Sequence, residues 1–167
     1  MPAGRTHLKV ELLCLPLAMG AFWYWVGPSL GTQYRWHGFL LFSLAYLFSS
    51  LMLSPDLDLR HNKARSNWGV LGFVWIPYTK IFKHRGLSHS LILGTFTRLA
   101  YLALVVASFV LGVGVAERYL VGNELSIPKV QIDLYAYYWL GTLAAGLWLP
   151  NAIHIITDRV HSAWKGR

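Results

Sequence analysis

Histidine and aspartate residues recur at four separate points along the chain, in short motifs whose chemistry suits a metal ion. The single cysteine, Cys14, lies inside an apolar stretch, so a metal would have to be held by imidazole nitrogens and carboxylate oxygens. Three of the seven acidic residues belong to this set. The candidate metal ligands are His7, Asp56, Asp58, His84, His89, His154 and Asp158.

The spacing within two of these motifs supports shared ligation. His154 and Asp158 are four residues apart on a predicted helix, so they project from one face with β-carbons about 6 Å apart and can chelate one ion or flank two. Pro55 ends the preceding helix, and Asp56 and Asp58 point the same way if the chain stays extended after it. One of these aspartates would then ligate or bridge metals while the other orients a histidine.

The third motif, which runs from His84 to His89, is typical of a turn that leads into a helix. Ser88 is placed to cap that helix, and Arg85 is placed to clamp a phosphate or a carboxylate. We assign the predicted catalytic roles to Arg85 and Asp58. Glu11 follows His7 by four residues and is open to four readings: a further ligand, a proton acceptor, a residue that orients a ligand, or a side chain that reaches to the membrane interface.

The composition indicates that a membrane positions these motifs. Of the 167 residues, 55% are hydrophobic and 13% are charged, which is about half the charge of a typical soluble domain. We predict an all-α membrane protein, a single polytopic domain over residues 1–167 with four transmembrane helices. Their predicted bounds are about 8–30, 36–54, 88–116 and 134–160. The uncharged run 66–79 is too short to cross and is predicted to form an interfacial or re-entrant segment in the loop.

The distribution of positive charge predicts the orientation. The net charge is +8, and eleven of the fifteen Lys and Arg residues lie on the side that holds both termini and the 54–88 loop. The positive-inside rule places that side in the cytoplasm, and with it all the candidate ligands. Topology thus accounts for the basic residues, and no nucleic-acid partner is expected.

Four other residues remain without an assigned role. His37 falls on the opposite face and serves as an internal control, and His61 is most simply solvated. His161 lies one further turn along from Asp158, and two readings are open for it: it joins the ligands or it is solvated. Arg98 lies well inside the third predicted helix, where a structural and a catalytic role are equally open.

The ordered set of motifs resembles a bacterial family of inner-membrane metal-dependent hydrolases, the YdjM-like group, and is most similar to its cyanobacterial relatives known only as metal-binding proteins. The matching pieces are Gly-Arg-Thr-His ending at His7, Ser-Pro-Asp-Leu-Asp at 54–58, Trp-Ile-Pro-Tyr at 75–78, His-Arg-Gly-Leu-Ser-His-Ser at 84–90 and His-Ile-Ile-Thr-Asp at 154–158. One departure is Leu59, where the group commonly has a histidine. The resemblance implies metal binding more firmly than a reaction. It also implies a location in a bacterial inner membrane, or in a thylakoid if the source is a cyanobacterium.

The leading functional prediction is a metal-dependent hydrolase at the cytoplasmic membrane face. It would use one or two divalent ions, zinc first with manganese or iron as alternatives, against a phosphoester or lipid-like substrate. The alternative is a non-catalytic metal-binding membrane protein with a sensing, assembly or structural role. Transport is poorly supported, because the candidate ligands all sit at one end of the helices.

Overall fold

The structure is a computed structural model that describes residues 4–59, 62–82, 89–122 and 134–165. Within these ranges every regular element is helical. The α-helices are α1 (Gly4–Ala21), α2 (Gly31–Met52), α3 (Lys63–Asn67), α4 (Ile76–Ile81), α5 (Leu93–Val121) and α6 (Leu134–Lys165). A π-helical turn (Phe22–Val26) and three 3₁₀ segments (Gly27–Leu30, Pro55–Asp58 and Gly69–Trp75) connect some of them.

Helices α1 and α2 form an antiparallel hairpin. Near the turn, the rings of Phe22 and Phe42 stack with their centroids 4.9 Å apart. Farther from the turn, the Tyr46 hydroxyl donates a 2.7 Å hydrogen bond to the Glu11 carbonyl. The start of α1 and the end of α2 therefore lie at the same end of the molecule.

Helix α6 packs along α2 in the same direction. Tyr34 near the start of α2 contacts Tyr135 at the start of α6, with ring centroids 5.1 Å apart. Farther along, the Ser49 hydroxyl donates a 2.6 Å hydrogen bond to the Leu147 carbonyl. A β-carbon at Gly146 would stand 2.7 Å from the β-carbon of Ala45, so this close approach requires glycine. The second half of α6 therefore reaches the end of the molecule where α2 stops.

The chain between α2 and α5 folds back onto the end of α2. Trp75 and Tyr78 are fully buried there, in a cluster that includes Leu53 and Leu57. The Tyr78 hydroxyl lies 3.2 Å from the Thr97 hydroxyl of α5. Burial raises the pKa of Tyr78, so this hydroxyl stays neutral and serves as a hydrogen-bonding group. The segment thus ties the first turns of α5 to the rest of the fold.

Three stretches are long and apolar enough to cross a membrane: Thr6–Asp58, Leu93–Leu120 and Tyr135–Lys165. The all-helical fold with membrane-length apolar helices is thereby confirmed for the described residues. The first stretch holds 53 residues and contains the whole α1–α2 hairpin. Two crossings within it, and hence four in total, remain a prediction, as does the orientation.

The observed bounds differ from the predicted ones at several helix ends. The second helix begins at Gly31 rather than 36, because the hairpin turn is confined to a π-helical and a 3₁₀ segment. The helix predicted from 88 begins at Leu93, after a turn in which the Ser90 hydroxyl accepts a hydrogen bond from the Leu93 amide. It continues to Val121, where Gly122 takes a positive φ of 78° and ends the helix.

Candidate metal centre

Titratable side chains from four parts of the chain meet at the end of the molecule where α1 begins and α2 ends. The contributing elements are α1, the 3₁₀ turn after α2, the turn before α5, and the second half of α6. Two groups of three residues have ligand atoms that all lie within 4.8 Å of one another. These groups are His7, His154 and Asp158, and Asp56, His89 and His154.

The second group surrounds one carboxylate oxygen. His89 Nε2 and His154 Nε2 lie 4.0 and 3.8 Å from Asp56 Oδ1, which is too far for a hydrogen bond. Tetrahedral zinc, with bonds of about 2.0–2.2 Å, places neighbouring ligand atoms about 3.3–3.5 Å apart. The two histidine nitrogens therefore frame a position beside Asp56 Oδ1 for a divalent cation, and each would move only about half an ångström closer to that oxygen around the ion.

Each of these two histidines also faces a second carboxylate through its other ring nitrogen. His154 Nδ1 lies 2.9 Å from Glu11 Oε1, and His89 Nδ1 lies 3.5 Å from Asp58 Oδ2. An ionised carboxylate only accepts hydrogen bonds, so we assign the proton to Nδ1 in both rings. That tautomer leaves the Nε2 lone pair of each ring directed to a metal, as in carboxylate–histidine–zinc arrangements.

These two orienting carboxylates are more deeply buried than the one between the histidines. Glu11 is 2% exposed and Asp58 is 5% exposed, whereas the Asp56 side chain is 21% exposed. Glu11 is held in place through its own backbone, since its carbonyl accepts the hydrogen bond from Tyr46. The geometry thus separates two fixed carboxylates from a more accessible one that can bind an ion.

His7 lies against the other side of His154. The two rings stack with centroids 3.9 Å apart and planes inclined by 18°. His7 is 3% exposed, and its Nε2 lies 3.2 Å from Asp158 Oδ1. Asp158 Oδ1 nevertheless has no hydrogen-bond partner among the described residues, so this short approach is not aligned as a hydrogen bond.

A buried guanidinium stands beside the cluster. Arg98 of α5 is 1% exposed and donates a 2.6 Å hydrogen bond from Nη2 to Asn151 Oδ1 of α6. It is close enough to Asp58, Asp56 and Glu11 to interact with them electrostatically. Because Asn151 precedes His154 by three residues, this bond also anchors the stretch of α6 that carries the cluster.

A small cavity of about 30 Å³ opens beside the cluster. His7, Glu11 and Asp56 line it together with polar groups of α2 and α3, which include Ser50 and Lys63. This volume is enough for a water molecule or two. The cavity thus provides space for water next to His7, Glu11 and Asp56.

Six of the seven predicted ligands are brought together in this cluster: His7, Asp56, Asp58, His89, His154 and Asp158. The seventh, His84, lies outside the described residues, as do the predicted catalytic Arg85 and also His61. His37 is near Tyr34 at the opposite end of α2, consistent with its use as a control.

The expectation of an extended Asp56–Asp58 segment was wrong. Ser54 accepts a hydrogen bond from the Asp56 amide, and Pro55 starts a 3₁₀ turn. Consequently Asp56 faces Nε2 of His89 and of His154, while Asp58 faces Nδ1 of His89. Sequence reasoning also missed Asn151, although an amide three residues before His154 in an apolar run was a usable signal for a partner of Arg98.

Comparison with known proteins supports metal binding but names no reaction. An uncharacterized protein of Aquifex aeolicus (strain VF5) is 43% identical over 61 residues, which is 36% of this chain. The matched region covers 43% of that relative, so the chain spans less than half of its length. No solved structure matches the chain. A family profile matches residues 2–167, and the chain therefore belongs to the family described as uncharacterized metal-binding protein (DUF2227).

Proposed function

We propose that this protein binds a divalent cation through Asp56, His89 and His154 and hydrolyses a phosphoester or lipid-like substrate at one face of the membrane. The observation that carries the metal site is the convergence of two Nε2 atoms on a single Asp56 oxygen. The family membership supports metal binding independently of this geometry.

A cation accounts for this cluster better than ion pairing alone. At 3.8 and 4.0 Å, neither histidine forms a good hydrogen bond to Asp56 Oδ1. His154 Nε2 is buried and has no hydrogen-bond partner among the described residues. Leaving such a group unsatisfied costs about 1–3 kcal/mol. A cation between the three atoms removes that cost, because each atom becomes a ligand.

The hydrolase part of the proposal rests on the cavity and on the resemblance to the YdjM-like group. A divalent cation lowers the pKa of a bound water and polarises a phosphoryl oxygen. Asp56 lies at the boundary between the ligand cluster and the cavity, where it can hold the ion and stay open to water. Lys63 lines the same cavity with an exposed side chain and offers a positive charge to an anionic substrate group.

A lipid is the preferred source of that anionic group. The 3₁₀ turn with Asp56 ends the first membrane-length stretch, and α5 begins the second, so the cluster lies where the apolar stretches end. Phosphates of bilayer lipids occupy that level of a membrane. Zinc suits the nitrogen and oxygen donors, and manganese or iron fit the same set.

Metal content tests this proposal first. We would purify the chain in detergent and measure bound metal in the wild type, His89→Ala, His154→Ala and the control His37→Ala. The expected result is metal near stoichiometric amounts in the wild type and the control, and about one ion per chain fewer in the other two variants. A metal-free wild type after reloading would contradict the proposal. Phosphoester and phospholipid substrates would then be screened with the loaded protein.

A non-catalytic role is the second candidate, favoured by the number of elements that meet at the cluster. Ligands and orienting groups come from α1, the turn after α2, the turn before α5, and α6. One ion would therefore fasten four helix ends together. A large rise in melting temperature on metal binding, with no hydrolysis of any screened substrate, would favour this role.

A further inference from the structure

The two groups of candidate ligands share His154, and this sharing limits how they can be occupied. His154 Nδ1 is engaged by Glu11, so the ring has a single lone pair to give, on Nε2. That lone pair faces Asp56. A cation in the His7 group therefore cannot use His154 while the first site is filled, and it needs another ligand.

The remaining members of that group already have the spacing of neighbouring ligands. His7 Nε2 and Asp158 Oδ1 are 3.2 Å apart, close to the roughly 3.3 Å expected around a tetrahedral cation. Asp158 Oδ1 is buried and has no hydrogen bond among the described residues, and the His7 side chain beside it is 3% exposed. Such buried polar atoms indicate a ligand.

Asp56 is the residue that can complete this second site. It lines the same cavity as His7 and is among the charges that act on the His7 ring. Its Oδ1 faces the first site, and a carboxylate has a second oxygen for another ion. We infer that His7 and Asp158 hold a second divalent cation next to the first, with the Asp56 carboxylate bridging the two.

The charge of the cluster is compatible with two cations. Glu11, Asp56, Asp58 and Asp158 are set against the single described buried cation, Arg98, which leaves three negative charges when the histidines are neutral. One divalent ion leaves a net negative charge of one, and two leave a net positive charge of one. A buried net charge of either sign is costly, so the second ion is argued from the geometry of His7 and Asp158 and not from the charge count. The two-ion state also suits an anionic substrate group.

This inference rests on the proposed function, because the second site shares Asp56 with the first. Its test is the number of Mn²⁺ ions bound per chain after loading and gel filtration in detergent. The wild type and the control His37→Ala are expected to retain two. His7→Ala and Asp158→Asn are each expected to retain one. Paramagnetic resonance should show a spin-coupled pair in the wild type and an isolated ion in both variants.

The outcomes separate the two proposals. One ion in the wild type overturns the second site and leaves the first intact, whereas none overturns both. Two ions retained in His7→Ala and in Asp158→Asn would place the second ion elsewhere and overturn this assignment. If His7→Ala loses both ions, the result for Asp158→Asn distinguishes the possibilities, because asparagine keeps the size of the side chain. One ion retained in Asp158→Asn supports the inference. Loss of both ions refutes two separate sites.

Discussion

Replacing Glu11 by alanine is expected to weaken metal binding by about 10–100-fold, although Glu11 itself touches no ion in this arrangement. Its carboxylate accepts a 2.9 Å hydrogen bond from His154 Nδ1 at a position only 2% exposed. A hydrogen bond to a charged group contributes about 1.5–3 kcal/mol, and each 1.4 kcal/mol is about tenfold in affinity. Substitutions of such orienting partners elsewhere have effects of this size.

The substitution separates orientation from folding. The contact that joins α1 to α2 here is made by the Glu11 carbonyl, which alanine retains. Glu11→Gln is expected to fall between the wild type and Glu11→Ala, because its amide oxygen can accept the bond but carries no charge. Glu117→Ala is the matched control, since that glutamate is exposed on α5.

Competition titration with a coloured chelator would measure the dissociation constants, and a thermal melt would confirm that each variant is folded. A folded Glu11→Ala protein with wild-type affinity would refute the assigned tautomer of His154. It would also remove the reason for assigning an orienting role to any carboxylate in the cluster.

Three further predictions concern the helices that carry the centre. Gly146→Leu should lower the free energy of unfolding by about 1–3 kcal/mol, because a β-carbon there would lie 2.7 Å from the β-carbon of Ala45. Its control Gly141→Leu, where a β-carbon has open space, should have the melting temperature of the wild type. Arg98→Met should cost about 1.5–3 kcal/mol through its lost bond to Asn151, and equal melting of this variant and the wild type would contradict that bond. The chain should stay in the membrane pellet after alkaline carbonate extraction, and its release into the supernatant would exclude membrane-spanning helices.

The helical fold was predictable because apolar runs of membrane length carry a strong signal. The observed stretches Leu93–Leu120 and Tyr135–Lys165 correspond to the third and fourth predicted crossings. Their exact ends were less predictable, since short turns decide them. The 3₁₀ turn at Pro55–Asp58 is an example. Here the Ser54 hydroxyl accepts a hydrogen bond from the Asp56 amide, and Pro55 starts the turn where an extended segment was predicted.

The candidate ligands were visible in sequence, but their division of labour was not. The pair Glu11 and His154 is separated by 143 positions, so no local spacing reveals it. Likewise, nothing in the sequence distinguishes the role of Asp56 from that of Asp58. The 3₁₀ turn gives them different partners, because it directs Asp56 to Nε2 of both histidines and Asp58 to Nδ1 of His89. Which of the seven predicted residues bind an ion stays a prediction until metal content is measured.

Burial explains why the carboxylates divide in this way. A carboxylate that orients a histidine must hold one position, and Glu11 and Asp58 achieve this by being enclosed. A carboxylate that binds and releases an ion must also contact water, and Asp56 alone of these three lies partly open, at the wall of the cavity. Enclosing all three would fix the histidines equally well but would close the path of an incoming ion. If the proposed function holds, the partial exposure of Asp56 is therefore the feature that suits this cluster to ion binding rather than to helix packing alone.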